Sequence, residues 1–283
     1  MKILASFVLL AAALSAQKLK IEVIVAPDSG YSTASTIISG KRDAILIDPQ
    51  FSRTGAKKVA AAIKKSGKNL TTVYVSHAHP DHYFGLAVMK EEFPNAKLVA
   101  LPDVVPGIER GWAGRREFWY PTYGEELPSA TPVLPTALAK PELTLEGDTF
   151  PITGGLVGDG PGNTMVWVPS LRAVIAGDII FNQVHFGQPA DNTAWEASFA
   201  KVEALKPLVV IGGHSRIGTK NGPEVIAWMR QYTKDFRELK AQSKSAAELK
   251  QKMLAKYPKA AMVSILERET TAAFAPPAPT KGK

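Results

Sequence analysis

The sequence predicts an α/β protein. Short apolar runs rich in β-branched residues alternate with helical patterns along most of its 283 residues. Glycine and proline signals separate these runs. The composition, 45% hydrophobic and 21% charged, is that of an ordinary globular chain, and the length is enough to bury a substantial core as one large domain or two small ones.

The elements follow in order. Residues 21–26, 36–39 and 44–47 are short β-branched runs, split by turns at Pro27-Asp28-Ser29-Gly30 and Gly40-Lys41. Residues 54–65 carry a helical pattern, with Val59 and Ile63 four apart among alanines, and Gly67 ends it. Residues 70–75 form a strand, 83–92 a helix and 97–100 another strand. The first half therefore reads β-β-β-α-β-α-β. In the second half, 149–153, 164–168, 173–175 and 208–211 read as strands and 195–205 as a helix. Pro223 opens a helix running to about Lys240, and a further helix covers 246–256. No internal repeat is visible.

The ends and the middle carry their own signals. Lys2, an apolar run over 3–13 and the small residues of Leu14-Ser15-Ala16 make a secretory signal peptide over 1–16, cleaved near Ala16. The run is too short for a permanent membrane anchor, and no cysteine follows it to accept a lipid. The mature protein is expected in the periplasm or secreted. Residues 17–258 form the main domain and 259–283 a C-terminal extension, whose Pro- and Ala-rich end from 276 is expected to be disordered. The segment 101–141 holds Trp112, Trp119, Tyr120 and Tyr123 among seven prolines. It reads either as an irregular wall or lid over a substrate pocket, or as a helix packed on the body through Trp112 and Trp119. The net charge is +8, yet the lysines are spread over 53–68, 201–220 and 234–258 as solvated helix faces rather than gathered beside aromatics. That distribution argues against a nucleic-acid surface and leaves a small molecule as the expected partner. With no cysteine, neither a disulfide nor a thiolate metal cluster is possible.

The chemistry is concentrated in His77-Ala78-His79-Pro80-Asp81-His82. Three of the chain's five histidines fall within six residues, directly after the strand at 70–75. Alternate residues in extended chain share a face, so His77 and His79 can point to one side while Asp81 and His82 return from beyond the loop. Imidazoles and a carboxylate suit zinc and similar divalent ions. Asp178, in Ala-Gly-Asp-Ile-Ile, and His214, in Gly-Gly-His-Ser, follow downstream.

This ordered set, H-x-H-x-D-H, then Gly177-Asp178, then Gly213-His214, resembles the metallo-β-lactamase-fold hydrolase superfamily over roughly residues 19 to 230. The resemblance implies a four-layer αββα sandwich with metals at one edge of the paired sheets, here with C-terminal helices appended. It implies that His77 and His79 bind one metal, that Asp81, His82 and His214 bind a second, and that Asp178 bridges them. Two divalent ions are expected, Zn2+ first, with Fe or Mn as alternatives.

One position departs from the family. The segment Gly158-Asp159-Gly160-Pro161-Gly162-Asn163-Thr164 resembles the family's Gly-His-Thr-Pro-Gly-Asn-Thr, so Asp159 stands where the first metal takes a third histidine. Asp159 is expected to be a ligand; its other reading is a cap in a Gly-rich turn. Two ions about 3.5–4 Å apart can hold a hydroxide near neutral pH, which implies hydrolysis. Asp81 is then the expected proton carrier to the leaving group, and His185, in Phe181-Asn182-Gln183-Val184-His185, a substrate or oxyanion contact. The first reading is cleavage of a small ester, lactone or related amide. The second is a periplasmic metallo-β-lactamase. A mononuclear iron persulfide-type oxygenase and a non-catalytic ligand-binding protein are further alternatives.

Overall fold

The computed structural model describes residues 19–189 and 191–275. The expected signal peptide, its cleavage site and the tail from 276 lie outside the described residues.

The first half builds one mixed sheet. Strands β1 (Lys20–Val25), β2 (Ala34–Ser39), β3 (Asp43–Ile47), β4 (Asn69–Val75), β5 (Lys97–Ala100) and β6 (Thr136–Ala137) lie side by side in chain order. The first two pairings are antiparallel and the remaining three are parallel. Parallel pairing needs crossovers, supplied by helices α1 (Arg53–Ser66), α2 (Pro80–Tyr83), α3 (Leu86–Glu92) and α4 (Val105–Tyr123). Helix α1 starts where Ser52 Oγ accepts from Gly55 N at 3.0 Å, and it ends at Gly67, whose φ of 68° suits glycine. Its buried stripe is Ala56, Val59, Ala60 and Ile63. Ala44, Ile45, Leu46 and Ile47 are all buried, the mark of a strand covered on both faces.

The second half builds a five-stranded sheet. Strands β7 (Glu142–Leu145), β8 (Asp148–Val157), β9 (Pro161–Val168), β10 (Ala173–Ile175) and β12 (Val209–Ile211) take the order β12-β10-β9-β8-β7. A small parallel pair, β11 (Phe181–Asn182) with β13 (His214–Ser215), sits apart from it. Helices α5 (Thr193–Ala204), α6 (Glu224–Ala241), α7 (Ala246–Lys256) and α8 (Val263–Phe274) complete the chain. Neighbouring strand residues point into two different cores. Ala173 and Ile175 join the core between the sheets, whereas Val174 and Ala176 join the core shared with α5, α6, α7 and α8. The layers are thus helix, sheet, sheet, helix, as the resemblance implied.

The expected strands and helices of the first hundred residues are present with boundaries shifted by up to three residues. The segment 101–141 is not irregular throughout, since α4 occupies 19 of its residues and buries Trp112. Strands β6, β7, β11 and β13 and helix α8 were not expected. Among the described residues no helix is long and apolar enough to cross a membrane.

Candidate metal centre and pocket

Four turns at strand ends meet at one edge of the paired sheets. Beyond Val75 the chain leaves β4 and delivers His77 and His79, whose rings lie 4.7 Å apart. Pro80 then opens the single helical turn of α2, which brings back Asp81 and His82. Asp178 sits on the tight turn after β10, and Asp159 on the turn between β8 and β9, where its backbone N donates to Asp178 O at 3.2 Å. His214 leads β13, with its ring stacked on Phe181 at 5.0 Å and 3°.

The donor atoms form two groups, His77, His79, Asp159 and Asp178 in one and Asp81, His82 and His214 in the other, each within 4.8 Å. Asp178 joins them. Its Oδ2 lies 3.2 Å from His77 Nε2 and 3.6 Å from His79 Nδ1, and its Oδ1 lies 3.1 Å from His82 Nε2 and 3.3 Å from His214 Nε2. Asp159 Oδ2 approaches His79 Nδ1 at 3.1 Å, and Asp81 Oδ2 approaches His214 Nε2 at 3.3 Å. Seven of the eight expected site residues therefore converge.

The backbone leaves no slack here. A Cβ on Gly213 would meet Asp178 Oδ1 at 2.0 Å, and one on Gly158 would meet Asp178 O at 2.2 Å. Only glycine lets the chain pass this close to the shared carboxylate.

A second layer orients the imidazoles. Asp48 Oδ1 accepts from Ser76 N at 2.8 Å, and its Oδ2 accepts from Ser76 Oγ at 2.7 Å and from His82 Nδ1 at 2.9 Å. Since the Ser76 hydroxyl gives its proton to Asp48, it can only accept from His77 Nδ1, 3.0 Å away. His214 Nδ1 donates to Tyr31 O at 2.6 Å. Assigned from this network, all three imidazoles carry hydrogen on Nδ1 and turn Nε2 to the centre. His77 Nε2 and Asp178 Oδ1 are buried without a hydrogen-bond partner. Buried polar atoms of this kind cost stability unless satisfied. Two facing sets of N and O donors with orphaned ligand atoms fit divalent metal ions.

Electrostatics agree. Burial opposes charge on His79, but hydrogen bonding to Asp159 and Asp178 pushes its pKa up to about 10. Burial likewise opposes charge on His82 and His214, yet Asp178 and Asp81 raise both. Burial would raise Asp81 and Asp178, but the neighbouring imidazoles hold both carboxyls below the usual range. A strongly anionic cluster holding protons on histidines is one a cation can take over.

The centre forms the floor of a cavity of about 500 Å³. One wall is aromatic, from Tyr31, Phe51 and Trp119, so α4 is both a packed helix and a pocket wall. The other holds Phe181, Phe186, Met262, Ile265 and Arg268, the last two from α8. His185 is not brought to the pocket. It is fully buried behind the wall, its Nδ1 is 2.7 Å from Tyr232 Oη, and burial lowers its pKa to about 4. Its expected role as a substrate contact does not fit that place. Sequence reasoning missed Asp48, Tyr31 and the α8 residues. Asp48, a lone carboxylate closing an apolar strand, gave a usable signal; the α8 residues gave none.

Comparisons with known proteins bear on this geometry. A family model described as the metallo-beta-lactamase superfamily matches residues 29–214, well over half of the chain. No curated protein matches by sequence. Among solved structures, a metallo-beta-lactamase family protein from Thermus thermophilus is similar with a TM-score of 0.61 and 17% identity, covering 90% of this chain and 91% of the other. A metallo-beta-lactamase from Pontibacter korlensis gives 0.57 and 12%, covering 77% and 99%. The B3 metallo-beta-lactamase BLEG-1 gives 0.55 and 21%, covering 72% and 96%. These likenesses are in fold. Residues 29–214 span every side chain of the two donor groups, and on that match the chain belongs to the metallo-β-lactamase superfamily, whose members are mostly metal-dependent hydrolases.

Proposed function

We propose that the protein is an exported hydrolase that cleaves a small ester, lactone or related amide. The observation that carries this reading is the Asp178 carboxylate shared by two donor groups at the floor of a pocket with an aromatic wall. His77, His79, Asp159 and Asp178 would hold one divalent ion, and Asp81, His82 and His214, with Asp178, the other, zinc being the first candidate. When bound, such ions polarise a carbonyl and make a water easier to deprotonate.

The remaining steps belong to the chain. The aromatic wall and the Met262–Ile265 wall grip the apolar part of a substrate and exclude water. In the reaction water oxygen adds to the carbonyl carbon, the carbon–oxygen or carbon–nitrogen bond breaks, and a water proton goes to the leaving group. Asp81 borders the cavity and is steadied by Thr33 Oγ1 at 3.2 Å from Oδ2, which supports it as the group that would pass that proton.

A cyclic amide substrate is the second reading. The metallo-beta-lactamases of like fold motivate it, and the carboxylate at position 159 weighs against it. Metal analysis with a screen of lactone, aryl ester and cephalosporin substrates tests both. A higher kcat/KM for cephalosporins than for every ester and lactone would reverse the ranking. Fewer than two ions after incubation with excess zinc would favour a mononuclear oxygenase. Export is tested by the N-terminus of the mature protein, expected at or next to Gln17.

A further inference from the structure

We propose that the phenol of Tyr31 is a catalytic hydrogen-bond donor to the oxygen on which negative charge develops as the substrate carbonyl is attacked. The inference rests on the hydrolase reading above.

Tyr31 lines the same cavity as His79, Asp81, Asp178 and His214. Its hydroxyl oxygen accepts from Tyr123 Oη at 3.3 Å. In that bond the Tyr31 oxygen is the acceptor, and the Tyr31 hydroxyl donates to no protein group among the described residues. The two arginines of the pocket each have one nitrogen in a contact, and Arg268 is mostly exposed. Arg115 donates to Ala78 O and lies 3.4 Å from Tyr83 Oη, and Arg268 Nε lies 3.4 Å from Glu269 Oε1.

The ring is also held still. Tyr31 has a φ of 61° and Ser32 a φ of 50°, so two successive non-glycine residues sit in the left-handed region. Such backbone persists only where its surroundings fix it, and it gathers at functional sites. Here Tyr31 O is fixed by His214 Nδ1 and Ser32 Oγ by Asp28 Oδ1, at 2.6 and 2.8 Å. The ring stands edge-on to Phe51 at 5.4 Å and tilted against Trp119 at 5.5 Å. A donor fixed before reaction stabilises developing charge without reorganising.

Tyr31→Phe removes only the hydroxyl and keeps the ring and the carbonyl that holds His214. It should retain the wild-type metal content and lower kcat on the best ester or lactone by about 10- to 100-fold, with KM changed less than about threefold. Tyr123→Phe leaves the Tyr31 O–H in place and should cost less than about threefold. Phenylphosphonate, a tetrahedral anion, should bind the metal-loaded Tyr31→Phe protein roughly tenfold more weakly in calorimetry. Unchanged kcat with unchanged phosphonate affinity would overturn the proposal and leave the hydrolase reading intact. Equal losses in the two phenylalanine variants would also overturn it, assigning Tyr31 to packing. Tyr31-dependent phosphonate binding in a protein that hydrolyses no ester or lactone would sink the ester and lactone reading and with it the catalytic role, leaving Tyr31 as an anion-binding donor.

Discussion

Asp48 Oδ2 lies 2.9 Å from His82 Nδ1, and both side chains are buried. The carboxylate fixes the imidazole so that Nε2 faces Asp178. Asp48 has a φ of 59°, a conformation that asparagine also tolerates. Asp48→Asn should therefore keep the fold while weakening the hold on His82. Outer partners of this kind are worth about 10- to 100-fold in metal affinity. Competition with a chromophoric chelator should show one weakened zinc site in the variant, with thermal unfolding shifted by only a few degrees. Two wild-type affinities would remove Asp48 from this role.

Gly213→Ala addresses the close passage of chain past the shared carboxylate. The new Cβ would overlap Asp178 Oδ1, and overpacking typically costs about 1–3 kcal/mol. Because Asp178 faces both donor groups, zinc content should fall at both sites in elemental analysis. A variant that still binds two ions tightly would show that the Asp178 side chain has room to move.

Much of this centre was legible because it is local. His77, His79, Asp81 and His82 lie within one turn after a strand, and strand periodicity places them without tertiary knowledge. Asp178, His214 and Asp159 needed the family resemblance, since each lies on a separate turn. What escaped depends on long-range packing. Helix α8 follows Met262, whose φ of 62° no local signal announces, and its Ile265 reaches the pocket only because α8 folds back beside it. The peptide N of Met262 is held by Asp28 Oδ2 at 3.1 Å, a contact spanning 234 residues. His185 was misplaced for the opposite reason. Nearness in sequence to Asp178 suggested nearness in space, but a backbone bond from His185 N to Ala261 O turns the segment into the core behind the wall.

Metal uptake should release protons. Without metal the Asp159 and Asp178 carboxylates hold His79 protonated up to about pH 10, and His82 and His214 are shifted the same way. A cation must displace these protons, so zinc affinity should rise with pH through the neutral range. Titration calorimetry in buffers of different ionisation enthalpy would count them, with more than one proton expected per protein at pH 7. No dependence on buffer would contradict the protonated cluster.

His185 makes an opposite contribution to stability. Burial lowers its pKa to about 4 in the fold, although Asp28 partly opposes the shift. The unfolded value is about 6.5. Between these two values the unfolded chain binds more protons, so stability falls as pH drops from about 6.5 toward 4. Because the raised His79, His82 and His214 act in the opposite sense, the loss is read by urea unfolding of the metal-free protein at pH 7 and pH 5 as a difference between the wild type and a variant lacking the imidazole. His185→Phe should fare better than the wild type on going from pH 7 to pH 5, and an equal slope in both proteins would refute a buried neutral imidazole.

Asp159 decides how far this centre departs from its relatives. Its Oδ2 is 3.1 Å from His79 Nδ1, and its side chain is part of the first donor group. If it ligates, Asp159→Ala should lose the ion held by His77 and His79 and keep the one held by Asp81, His82 and His214. Asp159→His should keep two. It also removes one carboxylate, which leaves the ions less neutralised and favours deprotonation nearby. The acidic limb of the rate profile should therefore move to lower pH in Asp159→His. If Asp159 only caps its turn, both variants should keep two ions and lose about 1 kcal/mol of stability. Metal stoichiometry and pH–rate profiles of the two variants separate these outcomes. Unchanged stoichiometry with an unshifted acidic limb would leave His77, His79 and Asp178 as the whole of the first site.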